Sequence, residues 1–277
     1  MTPKKVITHL KIFLTASVAI LGLFITMSVG ASAQATPTNI VKNIVLVHGA
    51  FADGSSWSKV IPLLEARGFH VVSVQIPLTS LADDVATTER AIALQDGPVV
   101  LVGHSYGGAV ITQAGNDPKV ARLVFVAAFA PDTGQSVVEI QQPFPTPPLI
   151  AELRPDSAGF LSVTPKGIEE DFAQDLPEAQ QDLLTATQGP TNVSCFVATI
   201  GAAAWRIKPS WFVVARNDRT ISPDLERAEA ENIGAATISL RSSHVVMLSH
   251  PVAVAALIEQ AAKNRRDVRD SEDEEDQ

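Results

Sequence analysis

Cysteine is almost missing from this chain: Cys195 is the only one in 277 residues. That excludes an intramolecular disulfide, and a core of this size has no need of one. Basic stripes are missing too, so nothing in the charge pattern points to nucleic acid. His, Cys, Asp and Glu nowhere fall at metal-ligand spacing, so the sequence implies no metal and no other cofactor. There is no internal repeat. What is present is 46% hydrophobic residues against 18% charged ones, enough apolar material for a large core.

The formal charge of −9 is unevenly spread. Lys4, Lys5 and Lys11 precede an apolar run from Ile12 to about Met27, and Ala31-Ser32-Ala33 follows. This plan predicts a secretory signal peptide over 1–33, cleaved after Ala33. Its apolar part is short for a membrane anchor, and no cysteine stands nearby to receive lipid. The expectation is export to the periplasm or beyond, with no membrane anchor after cleavage. Losing those three lysines would move the formal charge from −9 to −12, and residues 267–277 contribute −6 of that. That acidic, aromatic-free run cannot bury apolar surface and is expected to be a disordered tail.

Between these ends, short apolar runs alternate with helical spacing. Ile44 to Val47, His70 to Val74, Val99 to Val102, Val120 to Ala128, Trp211 to Ala215 and Thr237 to Leu240 read as buried strands. A helix capped by Ser55 or Ser56 would carry Trp57, Val60, Leu63 and Leu64 to a stop at Gly68. Further helices are expected from Leu81 to Leu94, after Gly107, from Pro223 to Ile233 and from Pro251 to Lys263. Such alternation predicts an α/β fold, a mostly parallel central sheet flanked by helices. The pattern breaks from about Pro131 to Ala204, where prolines cluster at Pro143, Pro145, Pro147 and Pro148 and strand signals fade. Within it, Glu169 to Thr185 looks helical, interrupted by Pro177. The layout is therefore a core of 40–131 and 205–266 with an inserted cap at 132–204, placed over the carboxyl edge where ligands bind in open α/β sheets.

The motif with chemistry in it is Gly103-His104-Ser105-Tyr106-Gly107-Gly108, between the strand at Val99 and a helix. A G-x-S-x-G turn in that context is a nucleophile elbow, with Ser105 at its apex. A serine hydroxyl needs an imidazole to take its proton. His244 lies in the loop after the last strand and returns to the sheet edge of the elbow; His48, His70, His104 and His250 sit less suitably. The acid that orients the imidazole is expected at Asp218, directly after the Trp211 strand, with Asp132 and Asp224 as alternatives. An oxyanion hole needs two backbone N–H groups. Tyr106 supplies one, and the loop after the first strand supplies the other from Ala50, with Phe51 second.

In these residues the chain resembles the α/β-hydrolase superfamily, over about Ile44 to Ile258. Val47-His48-Gly49-Ala50, Gly54, Trp57 and the Gly103–Gly108 turn look like the branch of plant methylesterases, hydroxynitrile lyases and similar bacterial esterases. The resemblance implies the α/β-hydrolase fold, a triad of Ser105, Asp218 and His244, and substrate contacts from Phe51 and Trp57. It also implies a small-molecule ester as partner. Hydroxynitrile lyases of the branch carry a lysine after the histidine, where this chain has Val245, which argues against cyanohydrin cleavage. The cap holds Phe144, Leu149, Ile150, Phe160, Leu161, Phe172, Leu183, Leu184 and Phe196 but few basic residues, which points to a neutral, fairly apolar ester. A lactone or amide hydrolase, or a ligand-binding protein on the same scaffold, are the rival readings.

Overall fold

The structure, a computed structural model, describes residues 40–266. The expected signal peptide at 1–33 and acidic tail at 267–277 lie outside the described residues. Among the described residues no helix is long and apolar enough to cross a membrane.

The first half of the chain builds β1 (Asn43–Val47), α1 (Ile61–Glu65), β2 (His70–Val74), α2 (Leu81–Ala93), β3 (Val99–Ser105), α3 (Gly107–Ala114) and β4 (Val120–Ala128). The intervening segment holds α4 (Val137–Gln141), β5 (Leu153–Pro155), β6 (Phe160–Val163), α5 (Pro165–Gly167), α6 (Glu178–Thr187), β7 (Thr191–Asn192) and α7 (Ser194–Val197). The second half resumes with β8 (Ser210–Ala215), α8 (Pro223–Asn232), β9 (Ala236–Leu240), α9 (Val246–Ser249) and α10 (Pro251–Ala262).

Six strands form one sheet in the order β2-β1-β3-β4-β8-β9, and every ladder in it is parallel. All residues of β1, β3 and β8 are buried, as β-branched strands covered on both faces should be. Trp57, Tyr106, Trp211, Phe125 and Phe212 are among the largest fully buried side chains. Helices flank this sheet, as expected. Strand order reverses between β1 and β3, so the loops after these two strands part at one crevice above their carboxyl ends. Ala50 and Phe51 follow β1 and Ser105 ends β3.

Two parts differ from the sequence reading. The helix expected from Ser55 to Gly68 is broken into a 3-10 turn (Gly54–Trp57) and α1, and its cap is Asp53, whose side chain accepts from Ser55 N–H at 2.7 Å. In the intervening segment β5, β6 and β7 form a small antiparallel sheet that the fading strand signals did not suggest. These strands span two to four residues, and β7 reaches β6 from some thirty positions away. No local periodicity can report such a pairing.

Candidate active site

The elbow is built by close approach. A Cβ on Gly103 would lie 2.5 Å from Gly107 O, and one on Gly107 would lie 2.7 Å from His48 O. Glycine at both positions lets α3 start against the ends of β1 and β3. Ser105 itself is held at φ +53, a left-handed conformation that L side chains adopt only at a cost of about 1–2 kcal/mol. The β3–β4 register shifts at this point, pairing Ser105 with Ala128. A non-glycine residue kept in such a conformation by its surroundings is a feature of functional turns.

His244 and Asp218 come from the loops after β9 and β8, and the structure brings them together. His244 Nδ1 donates to Asp218 Oδ2 at 2.6 Å, and both side chains are fully buried. The other Asp218 oxygen accepts from the N–H groups of Thr220 at 2.7 Å and Ile221 at 2.9 Å. His244 Nε2 is buried with no hydrogen-bond partner among the described residues. With Nδ1 carrying the proton, that nitrogen offers a free lone pair. The alternative acids are engaged elsewhere: Asp132 pairs with Arg206, and Asp224 with Arg227 on the same helix.

Two more histidines hold the site in shape. His104 Nε2 donates to His244 O at 3.0 Å, and its ring centre lies 4.6 Å from that of His244. Burial, and next the neighbouring His244, keep His104 well below the ordinary histidine range, so it is neutral. His48 Nδ1 donates to Gly49 O at 2.9 Å while its Nε2 accepts from Ile76 N–H at 3.1 Å. Those partners fix one tautomer, and burial lowers its pKa as well.

Tyr106 is the N-cap of α3, whose first N–H groups have no acceptor within the helix. Its hydroxyl donates to Asp84 Oδ2 at 2.7 Å, while Leu78 N–H donates to Asp84 Oδ1 at 2.8 Å. Burial raises this carboxyl, and it pushes the neighbouring Cys195 thiol up to about 12. On the β1 loop, Phe51 adopts φ +58 and gives its N–H to Thr191 Oγ1 at 3.2 Å. The Phe51 N–H is thereby occupied, and of the two oxyanion candidates in this loop Ala50 is the one left.

Ser105 opens into a cavity of about 190 Å³. Phe51, Phe129, Phe172 and Phe196 form much of its wall, with Ala50, Leu149, Ile150 and Leu161. Among the described residues, Gln141 and Thr220 are the only polar side chains on that wall besides Ser105, and none is charged. The Phe172 ring also packs on the His244 ring, with centres 5.1 Å apart. Of the apolar residues between β4 and β8, Leu149, Ile150, Leu161, Phe172 and Phe196 line the cavity, whereas Leu183 is exposed. Trp57 does not reach the cavity: the 3-10 turn drives its indole into the core, where it is fully buried and packs edge-on against His104. Its expected contact with substrate is therefore corrected to a place beneath the elbow. Val245 is buried, so an apolar side chain and no ammonium follows His244.

The model of the alpha/beta hydrolase family matches residues 44–257. The chain belongs to the alpha/beta hydrolase family. This hydrolase is 29% identical to methylesterase 8 of Arabidopsis thaliana over 213 residues, 69% of this chain and 78% of the relative. It is 27% identical to salicylic acid-binding protein 2 of Nicotiana tabacum over 266 residues, 80% of this chain and 98% of that one. A crystal structure of a pyrethroid hydrolase from Sphingobium faniae JZ-2 has a TM-score of 0.69 at 23% identity, covering 80% of this chain and 97% of its own. That likeness shows the fold, and the esterases among the relatives support ester hydrolysis at the level of the family.

One residue of the hydrolase site has no sequence signal. Glu226, in the first turn of α8, is fully buried, and its Oε2 accepts from Ala215 N–H at 2.8 Å. Its Oε1 has no hydrogen-bond partner among the described residues and stands beside the Asp218 carboxyl. Burial first, and the Asp218 charge second, raise Glu226 well above the ordinary carboxylate range. A carboxyl pushed that way favours its protonated form beside the Asp218 charge. In the sequence it is an ordinary acid near a helix start.

Proposed function

We propose that this chain is a carboxylic ester hydrolase acting through an acyl-enzyme on Ser105. The observation that carries the reading is the buried His244–Asp218 pair at 2.6 Å, with His244 Nε2 left unpartnered. Phe172 links that pair to the cavity into which Ser105 opens.

His244 Nε2 takes the Ser105 Oγ proton as that oxygen attacks the ester carbonyl carbon. The imidazolium is stabilised by Asp218, which holds His244 Nδ1 at 2.6 Å. The N–H groups of Tyr106 and Ala50 receive the negative oxygen of the tetrahedral intermediate. Its collapse breaks the bond to the leaving alcohol, which takes the proton from His244. Water then gives a proton to the same nitrogen as it attacks the acyl carbon, and Ser105 Oγ leaves with that proton.

The uncharged wall suits a neutral, fairly apolar substrate. A volume of about 190 Å³ slightly exceeds the ~150 Å³ cavity that accepts a benzene ring, so it suits a ring or a short alkyl chain on one side of the ester. The test is hydrolysis of p-nitrophenyl acetate and butyrate by the wild type and by Ser105→Ala. Turnover by the wild type with loss of several powers of ten in the variant supports the reading. A Ser105→Ala protein that keeps near-wild-type turnover refutes it.

A further inference from the structure

We propose that cap residues 171–175 brace the acid and histidine loops against each other, with Asp175 as the positioning residue for His244. The inference rests on the roles assigned to Asp218 and His244 above. Those two residues sit on separate loops, after β8 and after β9, which meet directly through Asn217 N–H donating to Ser242 O at 3.1 Å. The cap adds a second set of ties from one short segment. Asp175 Oδ2 accepts from Ser243 N–H at 2.8 Å and from Ser242 Oγ at 3.3 Å, immediately before His244. Gln174 Nε2 donates to Asn217 O at 2.7 Å, immediately before Asp218. On the far side of Asp218, Arg219 Nε donates to Asp171 Oδ1 at 2.6 Å, and Thr220 Oγ1 to Asp171 O at 3.0 Å.

The segment can face both loops because of its local shape. A π-helical turn (Ile168–Phe172) ends at Ala173, which leaves the helix with φ −138. The wider turn sends Asp171 to the acid loop and Phe172 to the histidine ring, and the tight turn that follows, with Leu176 N–H donating to Ala173 O at 3.0 Å, carries Asp175 to Ser243. An exposed aspartate on a loop N–H is often simple fold support. Here the N–H it holds is one peptide from His244, whose ring must keep a 2.6 Å bond while Nε2 stays aimed. A displacement of about 1 Å at such a group can cost on the order of 100-fold in rate. The bond is also charge-assisted, and so stronger than an ordinary one.

The experiment compares full-length wild type, Asp175→Ala and Asp175→Asn. Steady-state kinetics on p-nitrophenyl acetate are normalised to sites titrated by a fluorophosphonate, and the downfield proton NMR signal of the His244–Asp218 bond is recorded. Asp175→Ala is expected to lower kcat by about 10–100-fold with KM changed less than about threefold, and to broaden or remove that signal. Asp175→Asn keeps an acceptor oxygen and should recover kcat to within about fivefold of the wild type. A purely structural role would lower melting temperature and the count of titrated sites while leaving kcat per site and the NMR signal alone, and that result overturns the proposal. Should the wild type turn over no ester, the hydrolase reading fails, and the NMR comparison still decides whether the brace exists.

Discussion

Replacing Glu226 by glutamine tests the buried carboxyl pair through its effect on folding. In the wild type the Glu226 carboxyl is buried against Asp218, and its pKa stands well above the ordinary value of 4.5. In the unfolded chain it ionises near that ordinary value. Above about pH 5 the unfolded state has therefore lost a proton that the folded state still holds, and stability falls as pH rises. One such group weakens folding by roughly tenfold per pH unit, until pH reaches its folded pKa. Glutamine keeps the carbonyl that accepts from Ala215 N–H and offers its amide N–H to Asp218, but it has no proton to lose. For a domain of this size the melting temperature of Glu226→Gln should gain on the wild type by about 3–5 °C per pH unit. Thermal denaturation of both proteins from pH 4.5 to 7.5 measures the difference, and esterase turnover should stay near wild type at neutral pH. Parallel curves across that range, with no widening gap, would refute the assignment of the proton to Glu226.

Other perturbations give further checks. Glu229, raised by burial to about 7, follows the same sign, so the gain of Glu229→Gln over the wild type should grow from about pH 5 and level off above about pH 7. Gly107→Ala would place a Cβ 2.7 Å from His48 O, both backbone-fixed, so a stability loss of roughly 1–3 kcal/mol is expected in urea denaturation. A Gly107→Ala protein of unchanged midpoint would contradict the close-approach account. Tyr106→Phe removes the donor to buried Asp84 Oδ2 and should cost about 1–3 kcal/mol by the same measurement. A change near zero would mean that the hydroxyl does not hold this carboxyl.

The parts legible in the sequence are those written locally. All six strands of the parallel sheet are apolar runs bounded by turn residues, and β2 and β4 begin and end where the runs do. Ser105, Asp218 and His244 lie at or just past strand ends, so placing the strands also placed these side chains near one edge. What could not be read depends on contacts between distant segments. The small sheet of β5, β6 and β7 exists only by pairing across the segment. A substrate contact from Trp57 is implied only by the family resemblance, and its orientation is set by the break between the 3-10 turn and α1. Asp171, Asp175 and Glu226 resemble any acids in helical surroundings. Their neighbours Arg219 and Ser243 are 48 and 68 positions away, and Asp218 faces Glu226 across a turn whose shape only folding defines.

The most direct test of the account is covalent. Purified full-length protein, treated with a fluorophosphonate and digested, should carry one phosphonyl group, on the peptide containing Ser105, and Ser105→Ala should carry none. Folded wild-type protein that takes no label, or that is labelled at another residue while Ser105 stays free, would contradict the assignment of Ser105 as nucleophile.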